Sequence, residues 1–329
     1  GPPVSDGVPL CLARAIPYGM GDRFLTILSV AALARALDRR VWVAWHTLPP
    51  GVENDRTYDW ETVAASVTLP AHVSILSGLN ASAALEGCPP TSQIRCQDRG
   101  EWGLPSLMGA DGIPQLAHFL WRVEGEPHVE EAAYEAAYRE VAEEFHVREV
   151  DLPRDFPKVF AVLHVRGGDK RAVPGRAFCT DAVLRQLRAC GVDVVAVSDD
   201  AEMLDGFLAR HPWLLTPPHH RPPKVDTAGR KLTKLDVELR DLALLMRGSG
   251  ILQHSSQGYS AFGVVAAVAR NVVLLNTDAH ALDEDGWPNK ILFLQGFGVL
   301  ENLLSCAAPG DDHRFLAALD CHQTHSLTD

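Results

Sequence analysis

The chain has 329 residues, 47% of them hydrophobic and 22% charged, with 42 acidic against 30 basic side chains and a formal net charge of −12. That length exceeds what one hydrophobic core ordinarily organises, so two domains are expected. The acidic excess excludes a general nucleic-acid binder, whose affinity comes from clustered Lys and Arg, and requires any anionic ligand to be held by a few local cations.

The chain opens with a strand at Val8–Ala13, a Gly-rich loop at Ile16–Gly21, an apolar-periodic helix from Asp22 to Leu37 with Asp22 as its N-cap, and a strand at Val41–Trp45. Strand, loop, helix, strand is the start of a parallel α/β sheet. Residues 46–115, rich in Pro, Gly, Ser and Asn, read as loops around short elements. A helix is expected over Glu130–Phe145, where Tyr134, Tyr138, Val141 and Phe145 share a face. The Pro and acid cluster Asp151–Pro157 then reads as a linker.

Beyond it the alternation restarts. Strands are expected at Val159–Val165, Val192–Val197, Gly250–Gln253 and Val272–Leu275, and helices at Asp181–Ala189, Glu202–Arg210, Leu235–Met246 and Ser260–Ala269. Residues 211–230 form a Pro, His and basic loop. Continuous apolar strands, each followed by a helix, imply a doubly wound sheet with helices on both faces. The expected organisation is an N-terminal Rossmann-like domain over 1–150, a second over 151–275, and a C-terminal segment, 276–329, packing back on the first.

The seven cysteines (Cys11, Cys88, Cys96, Cys179, Cys190, Cys306, Cys321) contain no C-x-x-C pair, which argues against zinc ribbons and thioredoxin chemistry. Cys88 with Cys96, and Cys306 with Cys321, flank short loops and each suit a bridge. Asn80-Ala81-Ser82 is a glycosylation sequon, and with the cysteines it points to a Golgi or secretory lumen, the alternative being the cytoplasm of a bacterium. No run reaches the roughly 18 apolar residues of a membrane helix. Gly1-Pro2 reads as a protease scar, so membrane attachment is expected only through a removed upstream anchor.

The chemistry concentrates at strand ends. His164-Val165-Arg166-Gly167-Gly168-Asp169-Lys170 lies at the carboxyl end of a buried strand, where open α/β sheets bind ligands. Arg166 and Lys170 suit a diphosphate clamp, Gly167 and Gly168 let backbone amides approach it, and His164 adds a donor. The structural alternative is a tight Gly-Gly turn with an Arg166–Asp169 surface pair. Asp241 and the Ser255-Ser256-Gln257 run would meet the same crevice, the hydroxyls acting as phosphate ligands, as helix caps, or as both. Ser198-Asp199-Asp200 is a third strand-end cluster, read as a cap and ion-pair anchor.

Together these residues resemble a family. Tyr18-Gly19-Met20-Gly21-Asp22, its helix and the Trp45 strand end resemble the start of the bacterial nodulation fucosyltransferase. His164-Val165-Arg166-x-x-Asp169-Lys170, then Val195–Asp200, then Leu239-Arg240-Asp241-Leu242 leading to Ser255-Ser256-Gln257, are similar in order and spacing to the α1,6 (core) fucosyltransferases, and more distantly to protein O-fucosyltransferases. The resemblance covers roughly residues 10–50 and 158–275. It implies two Rossmann-like doubly wound domains facing across a cleft (GT-B type) and inverting, metal-independent transfer of fucose from GDP-fucose to a glycan or glycoprotein acceptor, with no cofactor. Arg166 would hold the diphosphate, His164 and Asp241 the nucleotide, and Gly168, Asp169, Lys170, Ser255, Ser256 and Gln257 the phosphates and sugar. Gly19, Gly21 and Arg23 would face them across the cleft.

Two positions depart from the family pattern: Gly167 stands where a second arginine is expected, and Arg171-Ala172-Val173-Pro174 offers no carboxylate. Asp22 is then the candidate base, its alternative being the helix cap. Two other readings stay open: a different nucleotide sugar, or a non-catalytic glycan- or nucleotide-binding protein on the same scaffold.

Competing constellations are weaker. Asp283-Glu284-Asp285 has the form of a metal-binding D-x-D but reads as an acidic turn. Cys306, His313, Cys321, His322 and His325 fit no standard zinc spacing. His219-His220-Arg221 either touches substrate or is a solvated loop. No Gly-x-Ser-x-Gly elbow is present, and Gly19-x-Gly21-x-x-Phe24 lacks the third glycine of a dinucleotide fingerprint.

Overall fold

The computed structural model describes residues 7–12, 20–45, 58–78, 86–96, 121–123, 129–167, 180–189, 191–220, 229–254, 261–270, 272, 274–276 and 291–292. The chain forms two compact units, Gly1–Arg148 and Glu149–Asp329.

The first unit is built on a parallel sheet ordered β1-β2-β4, from β1 (Leu10–Leu12), β2 (Val41–Trp45) and β4 (Val73–Ser77). Its main helix, α1 (Met20–Ala36), is buried on nearly every side, as an apolar, Ala- and Leu-rich sequence must be. Two hydroxyls inside it are satisfied locally, Thr26 donating to the Asp22 carbonyl and Ser29 to that of Leu25. The helix begins two residues earlier than expected. Asp22 therefore sits in the first turn rather than at the N-cap, where its carboxylate still complements the positive end of the helix dipole. Asp38, at φ 51°, turns the chain out of the helix, and the Arg39 N–H closes on Ala34 O at 2.8 Å.

Helix α3 (Glu131–Glu144) packs on α1 through Phe145 against Phe24, ring centroids 5.4 Å apart, and the Tyr134 hydroxyl donates to Ser29 O at 3.1 Å. Arg35 reaches Glu140 at 3.0 Å and Glu144 at 2.8 Å. Between these elements lie α2 (Trp60–Ala64), the antiparallel pair β3 (Val67–Thr68) with β7 (His146–Val147), and the pair β5 (Ile94–Cys96) with β6 (Trp121–Val123).

The cysteine pairing corrects an expectation. Cys11 bonds Cys88, with Cα atoms 6.5 Å apart, and Cys96 is not their partner. The cause is a strand register. Gln93 forms a parallel bridge with Cys11, which draws the preceding turn against β1, whereas Cys96 lies on β5 opposite Trp121.

The second unit carries a sheet ordered β12-β11-β10-β8-β9, parallel apart from the edge strand β12 (Ile291–Leu292). Its other strands are β8 (Ala161–Val165), β9 (Val194–Ser198), β10 (Ile251–His254) and β11 (Leu274–Asn276). Every residue of β8, β9 and β10 is buried, which is why these strands read as unbroken apolar runs. On one face α4 (Thr180–Ala189) and α5 (Ala201–Arg210) set Leu184, Leu187, Leu204 and Phe207 against Leu163, Val165 and Ala196. On the other face lie α6 (Lys234–Arg247) and α7 (Ala261–Arg270).

Gly263 lets α7 approach the sheet: a Cβ there would stand 2.8 Å from Gln253 Oε1 and 3.3 Å from a Leu274 methyl. Helix α6 starts with a capping box between Thr233 and Asp236. From β8 the chain steps outward to β9, then returns past β8 to β10. Strand order thus reverses between β8 and β10, and the crevice beyond their carboxyl ends is where doubly wound sheets bind ligands.

Candidate functional site

Residues paired across parallel strands point to the same face. His164 pairs with Gln253, and both lie on the side of α6 and α7; Val165 pairs with His254 on the side of α4 and α5. There the His254 Nδ1 meets the Thr180 hydroxyl at 2.7 Å, and its ring stands edge-on to Phe207 with centroids 4.9 Å apart. Gln253 and Thr180 were not singled out by motif, although a fully buried amide ending the apolar run Ile251-Leu252 is a signal a sequence can carry.

Arg166 is the first residue past β8. Its N–H donates to His254 O at 2.9 Å, tying the ends of β8 and β10 together. Its guanidinium pairs with Asp199 Oδ2 at 2.7 Å, an ion pair made across the sheet. Side-chain exposures of 30% and 21% put this pair at the water boundary, where a phosphate can reach the cation.

Gly167 carries a second correction. Its amide donates to Asp199 Oδ1 at 2.7 Å, so it holds the carboxylate that holds Arg166 rather than facing a ligand. A Cβ at this position would stand 2.3 Å from Asp200 Cβ and 2.8 Å from Met203 Sδ. The position that bears a second arginine in the resembled family therefore has no room for a side chain here. Asp200 caps α5 by accepting from the Met203 N–H, and the Ser198 hydroxyl accepts from the Asp200 N–H. The Ser198-Asp199-Asp200 run is both cap and ion-pair anchor.

Asp241, on α6, is 6% exposed and lies among histidines. Its Oδ1 accepts from His219 Nε2 at 2.8 Å and from His220 Nε2 at 2.7 Å. These imidazoles come from a 3₁₀ turn, Pro218–His220, so the Pro-His loop is folded inward here and not a solvated strand of chain. The imidazoles hold the Asp241 carboxyl below its ordinary value despite the opposing effect of burial. Burial pushes His219 down against the pull of Asp241.

His164 sits in the same electrostatic neighbourhood. Burial first, and the Arg166 cation second, lower it to about 4, while Asp199 and Asp241 oppose them; its ring is neutral at pH 7. Its Nδ1 is buried and has no hydrogen-bond partner among the described residues. One strand end thus presents a fixed guanidinium, a neutral imidazole with an unused ring nitrogen, and a carboxylate with its second oxygen unpaired among the described residues. Such a set can offset a diphosphate charge and accept from N–H or O–H donors of a nucleoside.

His219, His220 and Asp241 are also the described residues whose ligand atoms converge, within 4.8 Å of one another. Their N···O separations of 2.8 and 2.7 Å are those of protons shared in hydrogen bonds.

In the first unit, Gly21 is buried and Asp22 half-buried in the opening turn of α1. Arg23 is 2% exposed, with its guanidinium 4.6 Å above the Trp45 ring, so its charge is engaged within that unit. Gly19, Gly168, Asp169, Lys170, Ser255, Ser256 and Gln257 lie outside the described residues, as do Arg221, the Asp283–Asp285 turn and the Cys306–His325 tail.

No protein-family model matches the sequence, and no curated protein matches it. Among solved structures the chain is similar to the fucosyltransferase NodZ from Bradyrhizobium (TM-score 0.44, 15% identity, covering 83% of this chain and 97% of that one). It is similar to a NodZ alpha-1,6-fucosyltransferase soaked with GDP-fucose (TM-score 0.43, 16% identity, covering 82% and 95%). POFUT1 in complex with GDP-fucose is a further neighbour (TM-score 0.41, 11% identity, covering 82% and 96%).

Proposed function

We propose that the chain is an inverting, metal-independent glycosyltransferase that moves fucose from GDP-fucose to a glycan or glycoprotein acceptor. The observation that carries this is the strand-end set at the switch point of the second unit: Arg166 fixed by Asp199 beside neutral His164 and buried Asp241. In an inverting displacement the acceptor oxygen attacks the anomeric carbon while the bond from that carbon to the β-phosphate oxygen breaks. Negative charge builds on the departing GDP, and a guanidinium held in place stabilises it without reorganising, an effect commonly about 10²- to 10³-fold in rate. Asp241 accepts from N–H donors of the base and His164 contacts the nucleotide. The acceptor proton passes to a base, for which Asp22 is the candidate.

The Cys11–Cys88 bond supports an oxidising compartment such as the secretory lumen. No described helix is long and apolar enough to cross a membrane.

Thermal shift with GDP, UDP and CMP in excess EDTA tests the donor assignment, and Arg166→Ala tests the cation. GDP is expected to raise the melting temperature most, with EDTA making no difference. Arg166→Ala is expected to keep the fold and lose at least about 10²-fold in transfer. Full transfer by that variant, or preferential stabilisation by UDP, would overturn the proposal.

A further inference from the structure

We infer that His219 and His220 form a two-donor clamp that makes Asp241 a directional acceptor and so sets which nucleobase the second unit takes; this rests on the GDP-sugar reading above.

A lone carboxylate presents two equivalent oxygens and rotates freely. Here both Nε2–H groups are spent on one oxygen, Oδ1, at 2.8 and 2.7 Å. That fixes the carboxylate plane and leaves Oδ2 as the acceptor for a ligand, since it has no partner among the described residues. The clamp is rigid: Pro217 and Pro218 lead into it, the His220 N–H closes its turn on Pro217 O at 3.0 Å, and His219 is 1% exposed. The proton positions follow from geometry. His219 Nδ1 is buried without a partner among the described residues, so the ring's one proton belongs on Nε2, facing Asp241.

The consequence is chemical selection. A carboxylate that only accepts fits adjacent N–H donors, as on the N1 and N2 edge of guanine. It repels the adenine edge, whose N1 is itself an acceptor. Without the clamp Asp241 can turn, or take a proton and become a donor, and the distinction weakens.

The test is calorimetric binding of GDP and ADP to the wild type, to H219L/H220L and to H219Q/H220Q, whose amides can donate from nearly the same reach. The wild type is expected to prefer GDP by about 10²-fold or more, given what a site built for hydrogen bonding rejects. The Leu pair is expected to lose about 30-fold of that preference, and the Gln pair to recover most of it. Undiminished preference in the Leu pair overturns the inference and leaves the nucleotide reading standing. If the Leu pair does not fold, ¹⁵N spectra of the wild-type imidazoles decide. Both rings are expected in the Nε2–H form; a metal-bound or Nδ1–H form overturns the clamp. A wild type showing both Nε2–H rings but binding neither nucleotide overturns the nucleotide reading instead.

Discussion

Replacing Gly167 with alanine adds one methyl group, and the structure says where it goes. The new Cβ would sit 2.3 Å from Asp200 Cβ, 2.8 Å from Asp200 Oδ2 and 2.8 Å from Met203 Sδ. The thioether can swing away, but Asp200 Cβ is fixed to backbone at the start of α5. Relief therefore requires moving the N-cap whose carboxylate receives the Met203 N–H at 3.2 Å. Overpacking of this kind costs about 1–3 kcal/mol. Loss of an N-cap costs about 1 kcal/mol more. A total near 3 kcal/mol lowers the melting temperature of a unit of this size by roughly 6–12 °C. Circular-dichroism melts of Gly167→Ala measure it directly.

The double variant G167A/D200G sharpens the test, because it removes the Cβ that is struck. Glycine is itself tolerated at an N-cap at a cost of a few tenths of a kcal/mol, so the pair is expected to recover most of the loss, giving a coupling of about 1–3 kcal/mol. A Gly167→Ala protein within about 0.5 kcal/mol of wild type, as for an ordinary surface change, would refute the packing argument. So would a double variant no more stable than the single one.

Two further expectations concern pH and redox state. His164 is lowered to about 4 from an ordinary 6.5, so the unfolded chain takes up the proton first; the stability contributed is full above about pH 6.5 and is lost as pH falls toward 4. The full difference is about 3 kcal/mol. His72 and His219 shift in the same direction, so the informative measurement is the difference between wild type and His164→Gln in denaturant titrations at pH 7 and pH 5. The variant should show a shallower pH slope; an identical slope rejects the assignment. For the Cys11–Cys88 bond, a non-reducing peptide map is expected to recover those two cysteines linked across 77 residues, and reduction to cost about 2–5 kcal/mol. A Cys88–Cys96 peptide in that map would contradict it.

Much of the second unit is legible without coordinates. Strands buried on both faces must be apolar at every position, so Val162-Leu163 and Val194–Val197 announce themselves, and helices between them leave a doubly wound sheet as the economical topology. Because such sheets bind ligands at strand ends, His164, Arg166 and Asp241 are candidates by place as well as by type. Strand β4 is less legible: its residues are half-buried or exposed, so neither an apolar run nor a clean alternation marks it.

What the tertiary structure alone decided is which groups meet. Arg166 pairs with Asp199, 33 residues away in the chain, because β8 and β9 run side by side and bring Val165 opposite Ser198. Cys88 has a cysteine eight positions on, yet bonds Cys11, because Gln93 lies in register with β1. In sequence His219 and His220 read either as substrate contacts or as solvated loop; a 3₁₀ turn folds both onto Asp241. Periodicity along a chain records how each element is buried, a property of that element's own residues. The choice of partner depends on register and approach between elements distant in sequence, and no local pattern of residues contains it.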